Sequence, residues 1–259
     1  MKKWIIASLA FIACNAAGRK TGEAENVSAP AAQPGKEVQA SGPCNSLVFF
    51  KKGAVIEAKS YDGAGNETAS QETKILDVKE EGSMTVAYME GKDTDKSGGK
   101  TTAVNYSYKC DGEKIYFDVA SLFRTAAKNG DASFESSLIE YPLHFEEGQV
   151  LPDATGTMSS EKNGRKSTIR YYYKDRKVEG KEKVTTPAGS WDCFKVTNTV
   201  EAEMDIAGMS ERARKMMEAM KGQAKMSTAT WFAPGFGIVK MEAYRNGKLE
   251  SKNVVTAVR

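Results

Sequence analysis

The sequence contains few of the residues that most enzyme and metal sites require. Its 259 residues include one histidine, His144, and four cysteines. A zinc site usually needs several histidine or cysteine ligands at fixed spacing, and a histidine-dependent catalytic triad would depend wholly on His144. The sequence therefore predicts no metal site, no cofactor and no catalytic residue, and it favours a non-enzymatic protein.

Motifs for phosphate binding and blocks of like charge are also missing. The segment Gly98-Gly99-Lys100-Thr101 contains part of a phosphate-binding loop but lacks the first glycine at the required spacing. Glu201 and Glu203 share one face of a predicted strand, where a solvated surface is the ordinary arrangement. The 37 basic and 34 acidic residues are interspersed along the chain, which argues against a nucleic-acid partner.

The N-terminal apolar run, residues 4–13, is too short to span a bilayer, which takes about 20 residues. It follows Lys2-Lys3 and ends at Cys14, the order of a bacterial export leader with a lipid-acceptor cysteine. Phe11-Ile12-Ala13-Cys14 resembles a lipobox, although Phe11 departs from the usual leucine. We predict a leader over residues 1–14 and lipidation of Cys14. The alternative is ordinary cleavage near Ala16 or Ala17.

Residues 15–42 have almost no large aliphatic side chains and are rich in Ala, Gly, Ser, Pro, Gln and Glu. Such a segment cannot bury enough apolar surface to fold, so we predict a disordered tether there and a single β-rich domain over residues 43–259. No acidic cluster follows Cys14. This favours an outer-membrane lipoprotein that faces the periplasm, held by its N-terminal lipid; a soluble periplasmic or secreted protein is the alternative.

Strand patterns dominate residues 43–259. About a dozen segments rich in Val, Ile, Thr, Tyr and Phe alternate with turn signals, and Asn246-Gly247 is the strongest hairpin signal. Nearly all links are too short for a parallel crossover, so the sheet should be antiparallel. Helical spacing of apolar residues predicts two short helices, over residues 119–129 and 209–221. The sequence thus predicts a mainly β (α+β) fold.

The second predicted helix carries a stripe of methionines: Met209, Met216, Met217 and Met220. Their spacing best fits a helix packed on the sheet. Two alternatives are an adaptable apolar groove and a Cu(I) site. The basic residues on the opposite face also permit a helix that lies on a membrane surface.

Three cysteines follow the predicted leader, and an exported protein can retain a disulfide. Three pairings are possible. We favour Cys44–Cys110, because each of these residues lies at the boundary of a predicted strand. Cys193 lies between large apolar residues and is interpreted as a buried free thiol.

Two motifs in the C-terminal half carry a family resemblance. Residues 183–196 (KVTTPAGSWDCFKV) and 230–240 (TWFAPGFGIVK) resemble stretches of the TapB/DUF3108-like exported proteins. Trp191 and Phe236 are bulkier than the residues usual in that family. The resemblance implies a LolA/LppX-like architecture: a large curved antiparallel sheet, or incomplete β-barrel, with helices against its concave face. Physically, both motifs are turns, and Gly237 permits a close backbone approach.

These observations predict a cell-envelope lipoprotein that binds an apolar or amphipathic ligand, or an envelope partner, through the concave face of its sheet. The candidate groove residues are Met209, Met216, Met217, Met220, Trp191 and Trp231. One alternative is a scaffold lipoprotein that docks a membrane or secretion complex through an exposed aromatic patch around Tyr172, Tyr244 and Trp231. Another is a hydrolase of unknown substrate that uses His144.

Overall fold

The computed structural model describes residues 43–117, 132–136, 138–162, 165–220 and 225–259. The predicted leader (1–14) with Cys14, the predicted tether (15–42) and the predicted helix over 119–129 lie outside the described residues. Within the described ranges there is one α-helix, α1 (Glu211–Met220), inside the segment predicted over residues 209–221. Two 3-10 turns, Pro43–Ser46 and Val48–Phe50, precede the first strand.

Strands make up most of the described residues, and all their pairings are antiparallel, so the predicted mainly β fold is confirmed. The strands are β1 (Val55–Asp62), β2 (Glu67–Glu81), β3 (Met84–Asp95), β4 (Thr101–Cys110), β5 (Lys114–Phe117), β6 (Ala132–Ser136), β7 (Ile139–Pro142), β8 (Ala154–Lys162), β9 (Arg165–Thr186), β10 (Gly189–Ile206), β11 (Met226–Ala233), β12 (Gly237–Arg245) and β13 (Lys248–Val258).

The strands form one sheet in the order β6-β8-β9-β10-β11-β12-β13-β1-β2-β3-β4-β5-β7. Among the described residues, the first and last strands pair in the middle of this sheet, with Ile56 opposite Val258. The edges are β6 and β7, which are consecutive in the chain. The two ends of the described barrel therefore meet in mid-sheet, and the edges of the sheet belong to strands that follow one another in the sequence.

This connection requires the sheet to curl. β6 ends at Ser136 and β7 begins at Ile139. Three peptide units of about 3.8 Å span at most about 11 Å, so the two edges approach one another at that point. The sheet is a nearly closed, barrel-like structure with a seam between β6 and β7.

The buried Arg176 of β9 links the two sides of the seam. Its Nη2 donates to the carbonyl of Glu140 in β7 at 2.6 Å, and its Nη1 donates to the carbonyl of Pro152 at 2.7 Å. The guanidinium carbon also lies 4.9 Å from the ring centre of Tyr141. Arg176 is 1% exposed, so these contacts are protected from solvent.

The 3-10 turns close one end of the barrel. Leu47, Phe49 and Phe50 are buried in the main core, and a disulfide joins Cys44 to Cys110 at the end of β4, the pairing that the sequence favours. A Cβ atom on Gly237 would lie 2.6 Å from Cε2 of Phe49, and Gly237 has a φ of +122°. The close backbone approach expected at Gly237 is therefore a contact with the ring of Phe49, in the 3-10 turn that closes this end of the barrel.

Candidate functional site on the concave face

Aromatic side chains fill the closed end of the barrel. The ring centres of Tyr108 and Phe117 are 4.3 Å apart, and those of Phe117 and Tyr141 are 5.3 Å apart. Tyr141 in turn stacks on Phe232 at 6.3 Å. This chain of contacts runs from β4 through β7 to β11. It leaves the other end of the concave face as the place where a ligand could lie.

At that other end, apolar residues lie side by side on three neighbouring strands. Met158 of β8 pairs with Ile169 of β9, and Ile169 pairs with Met204 of β10. On the edge strand β6, Phe134 holds the next register position, opposite Met158. Met158 and Ile169 are half-buried, and Met204 is 40% exposed. We name Met158, Ile169 and Met204 the apolar row.

The apolar row continues the core face of the sheet. Two residues further along each strand lie Gly156, Tyr171 and Ala202, and two further still lie Ala154, Tyr173 and Val200. The last three are buried in the main core, and Met158 and Tyr171 pack against it. Because side chains at positions i and i+2 share a face, all three rows face the barrel interior. The middle row contains a glycine and an alanine, whose small size limits how far this row projects into the barrel interior.

Polar side chains on the facing wall of the interior are paired with one another. Nδ2 of Asn253 donates to Oε1 of Gln71 at 2.7 Å and to Oγ of Ser60 at 3.1 Å. The hydroxyls of Thr73 and Tyr106 are 2.9 Å apart. The interior of the barrel thus has the apolar row on β8–β10 and, across from it, hydrogen-bonded polar side chains on β1, β2, β4 and β13.

Two buried polar atoms on β9 and β10 are not paired. Oη of Tyr173 and Nδ2 of Asn198 have no hydrogen-bond partner in the described part of the chain. The two residues are 8% and 7% exposed. Burial raises the pKa of Tyr173 well above its usual range, against a smaller opposing effect of the Arg176 charge. Tyr173 is therefore a neutral hydroxyl at neutral pH.

The two candidate tryptophans lie on the opposite, convex face, and their prediction as residues of the concave groove is wrong. Trp231 pairs with Lys195 and follows Thr230, which pairs with the core residue Val196, so alternation turns Trp231 outward. Trp191 belongs to the same small outer cluster.

Trp231 is nevertheless only 2% exposed. Its indole Nε1 donates to Glu182, and the Nζ atoms of Lys240 and Lys195 lie 3.9 and 5.2 Å from a ring centre. An exposed aromatic patch around Trp231, as required by the scaffold alternative, is therefore not formed by that residue.

The methionine helix is described only in part. Met216 of α1 is 61% exposed and Met209 is half-buried, whereas the side chains of Met217 and Met220 lie outside the described residues. Lys215 and Glu211 form an exposed ion pair at 3.1 Å along the helix. The outward position of Met216 does not match a stripe that is wholly packed on the sheet.

The residues considered for catalysis are dispersed. His144 is exposed on the link between β7 and β8. Glu201 pairs with Lys174 at 3.0 Å, and Tyr172 donates to Glu203 at 3.2 Å, both on the convex face.

The structure also bears on whether Cys193 is a reactive thiol. Burial, with smaller effects of Asp192 and Glu182, raises the pKa of Cys193 to about 11, so its thiol is protonated at neutral pH.

Among the described residues, no group of three His, Cys, Asp or Glu side chains could hold a metal ion. No helix in the described ranges is long and apolar enough to cross a membrane.

Comparisons with known proteins give one family and one fold. A DUF3108-like family model matches residues 51–255. A Bacteroides fragilis protein described as exported, with a YmcC-like fold, is 23% identical with a TM-score of 0.59. A Parabacteroides distasonis protein described as a lipoprotein is 21% identical with a TM-score of 0.61. Each alignment covers 82% of this chain and 99% of the other. No curated protein is significantly similar.

Proposed function

The chain belongs to the DUF3108-like family, and from that premise we propose that it is an envelope lipoprotein whose concave face binds an amphipathic ligand without chemical conversion. The apolar row is the observation that carries the proposal. A soluble domain normally buries such a row, yet Met204 is 40% exposed in direct continuation of the core. Partly exposed apolar surface that lines a concavity is typical of ligand sites.

The shape of the barrel also supports a bound molecule rather than a flat interface. Gly156 and Ala202 place small residues between the apolar row and the aromatic core. A ligand lying there would touch the apolar row with one part and the rims of Tyr171 and Tyr173 with another. Burial of apolar surface stabilises binding by about 25 cal/mol per Å² before the costs of association.

The relatives and the N-terminus support an envelope location. One structural relative is described as exported and the other as a lipoprotein. The leader pattern that ends at Cys14 is the sequence feature that would anchor this chain. We place the protein in the cell envelope, with outer-membrane attachment and a periplasmic orientation as part of the proposal.

A charge placed in the apolar row tests the proposal. We expect the Met204→Glu variant to lower the affinity for an amphipathic probe such as dodecanol at least about tenfold, because binding would then desolvate a carboxylate. Leu76→Glu is the matched control, since Leu76 is 45% exposed and lies on β2, next to the core residue Ile75. Calorimetric titration of both variants measures the effect. Equal losses in the two variants, or tight binding by Met204→Glu, would contradict the proposal.

A further inference from the structure

We propose that Tyr173, Asn198 and Arg176 form an anion-binding site on the concave face, which takes the carboxylate end of an amphipathic ligand. This inference rests on the proposed function and names the ligand class. The three residues, here called the donor cluster, lie on β9 and β10, between the apolar row and the aromatic end of the barrel. All three are at least nine-tenths buried.

The register brings the first two residues together. Tyr173 pairs with Val200, and Asn198 lies two positions before Val200 on the same interior face. Diagonal neighbours of this kind lie within reach of long side chains. A register shift between Thr197 and Thr199 forms a β-bulge, in which two residues of β9 lie opposite Asn198. The hydroxyl of Tyr173 and the amide of Asn198 therefore share one part of the interior wall.

Arg176 adds a positive charge beside them. It follows Asp175, whose φ of +55° breaks the strand alternation, and its side chain turns into the interior. Within the described residues, the guanidinium contacts two carbonyl oxygens and the Tyr141 ring but no carboxylate. Thr197 pairs with Lys177 and Thr199 pairs with Lys174, so Arg176 lies opposite Asn198 in the ladder.

Buried charges in proteins are normally paired, because an unpaired one is costly to desolvate. Here the buried Arg176 guanidinium is accompanied by the Tyr173 hydroxyl and the Asn198 amide. Each of these has a donor with no hydrogen-bond partner among the described residues. Oδ1 of Asn198 already accepts from Thr228 at 2.8 Å, so the unpaired Nδ2 is a donor. A set of donors around an uncompensated positive charge fits an anionic oxygen, and a carboxylate accepts several such bonds at once.

The position of the donor cluster also sets the shape of the ligand. Tyr173 lies four residues from Ile169 along β9, about 13 Å in an extended strand. A carboxylate at the donor cluster would thus extend its acyl chain past Gly156 and Ala202 to the apolar row. A medium-length fatty acid has this form, with the charged end innermost.

A matched pair of probes tests the inference on the full-length chain. Dodecanoate and dodecanol have the same tail and differ in charge at the head. At pH 7.5 we expect calorimetry to show dodecanoate binding at least about tenfold tighter than dodecanol, the effect of a hydrogen bond to a charged group. The Tyr173→Phe variant should weaken dodecanoate about tenfold and dodecanol at most about threefold.

Two further variants separate recognition from folding. Asn198→Asp keeps the acceptor for Thr228 but places a negative charge in the site, and should abolish the preference for dodecanoate. Tyr106→Phe removes a buried hydroxyl that is already bonded to Thr73, and should leave the preference unchanged. Equal binding of the two probes by the wild-type chain overturns the anion site alone. Failure of both probes to bind overturns the proposed function as well.

Discussion

At the scale of single residues, the second C-terminal motif is explained by one contact. Gly237 starts β12 with a φ of +122°, and the ring of Phe49 lies where its Cβ would be. Gly235, two residues earlier, also has a positive φ of +71° but has no atom within 4 Å of its Cβ position. Only Gly237 of this pair therefore combines a backbone requirement with a packing requirement.

Substitution of these two glycines separates the two requirements. We expect Gly237→Ala to lower the free energy of unfolding by about 2–4 kcal/mol, from backbone strain and displacement of Phe49. Gly235→Ala should cost about 1–2 kcal/mol from backbone strain alone. Urea denaturation monitored by circular dichroism measures both. If Gly237→Ala lowers the free energy of unfolding no more than Gly235→Ala does, the ring of Phe49 moves to accommodate the added methyl group.

Trp231 and the apolar row show that the face of a strand residue depends on its neighbours in the sheet. Trp231 is buried in the structure, but its sequence pattern does not say on which face of the sheet it lies. A residue's face follows from its register with neighbouring strands, and that register is not visible in residues 183–196 or 230–240 taken alone. The apolar row was missed for the same reason, because its three members come from three separate strands.

At the scale of elements, the sequence predicts the hairpins well and the seam poorly. Asn246 and Gly247 both have positive φ values, as the predicted two-residue turn between β12 and β13 requires. In contrast, β6, β7 and β8 were not predicted. β8 has the sequence ATGTMSSEK, whose small and polar residues lack a strong alternation. It pairs along its length with β9, so its partner, rather than its own composition, specifies it as a strand.

The disulfide attaches the 3-10 turns to β4 and should contribute strongly to stability. Cys44 and Cys110 are 66 residues apart, and a loop of that length gives about 4 kcal/mol in the chain-entropy treatment. We expect the double variant Cys44→Ala, Cys110→Ala to lose about this amount in urea denaturation. Cys193→Ala serves as the control that leaves the disulfide intact. A loss below about 1 kcal/mol would show that packing of Phe49 and Phe50 holds the 3-10 turns without the bond.

At the scale of the whole molecule, we propose that the domain and its N-terminal lipid anchor act together. The described barrel begins at residue 43, and 28 residues lie between it and Cys14. If these residues form the disordered tether that the sequence predicts, their typical end-to-end distance is about 30 Å. A binding domain held at this distance from a bilayer could exchange an amphipathic ligand with it.

Replacement of the lipid-acceptor residue tests this arrangement. We expect wild-type protein to sediment with membranes, and the Cys14→Ser variant to be found in the soluble fraction or to retain its leader. Mass spectrometry of the intact wild-type protein should show the mass of acyl chains on Cys14, because covalent chains stabilise membrane attachment by about 0.8 kcal/mol per buried CH₂. A processed Cys14→Ser protein that stays in the membrane fraction would contradict lipidation as the anchor.

The pairing of β1 with β13 has a consequence for the timing of folding. Without its final strand, the chain can form two separate half-sheets, β6-β8-β9-β10-β11-β12 and β1-β2-β3-β4-β5-β7, but nothing bridges them in mid-sheet. The last eleven residues of the sheet therefore complete it. Long-range pairing of this kind is slow to form. If the chain is exported unfolded, as we propose, the late pairing of β13 would delay completion of the barrel until the strands have crossed the membrane.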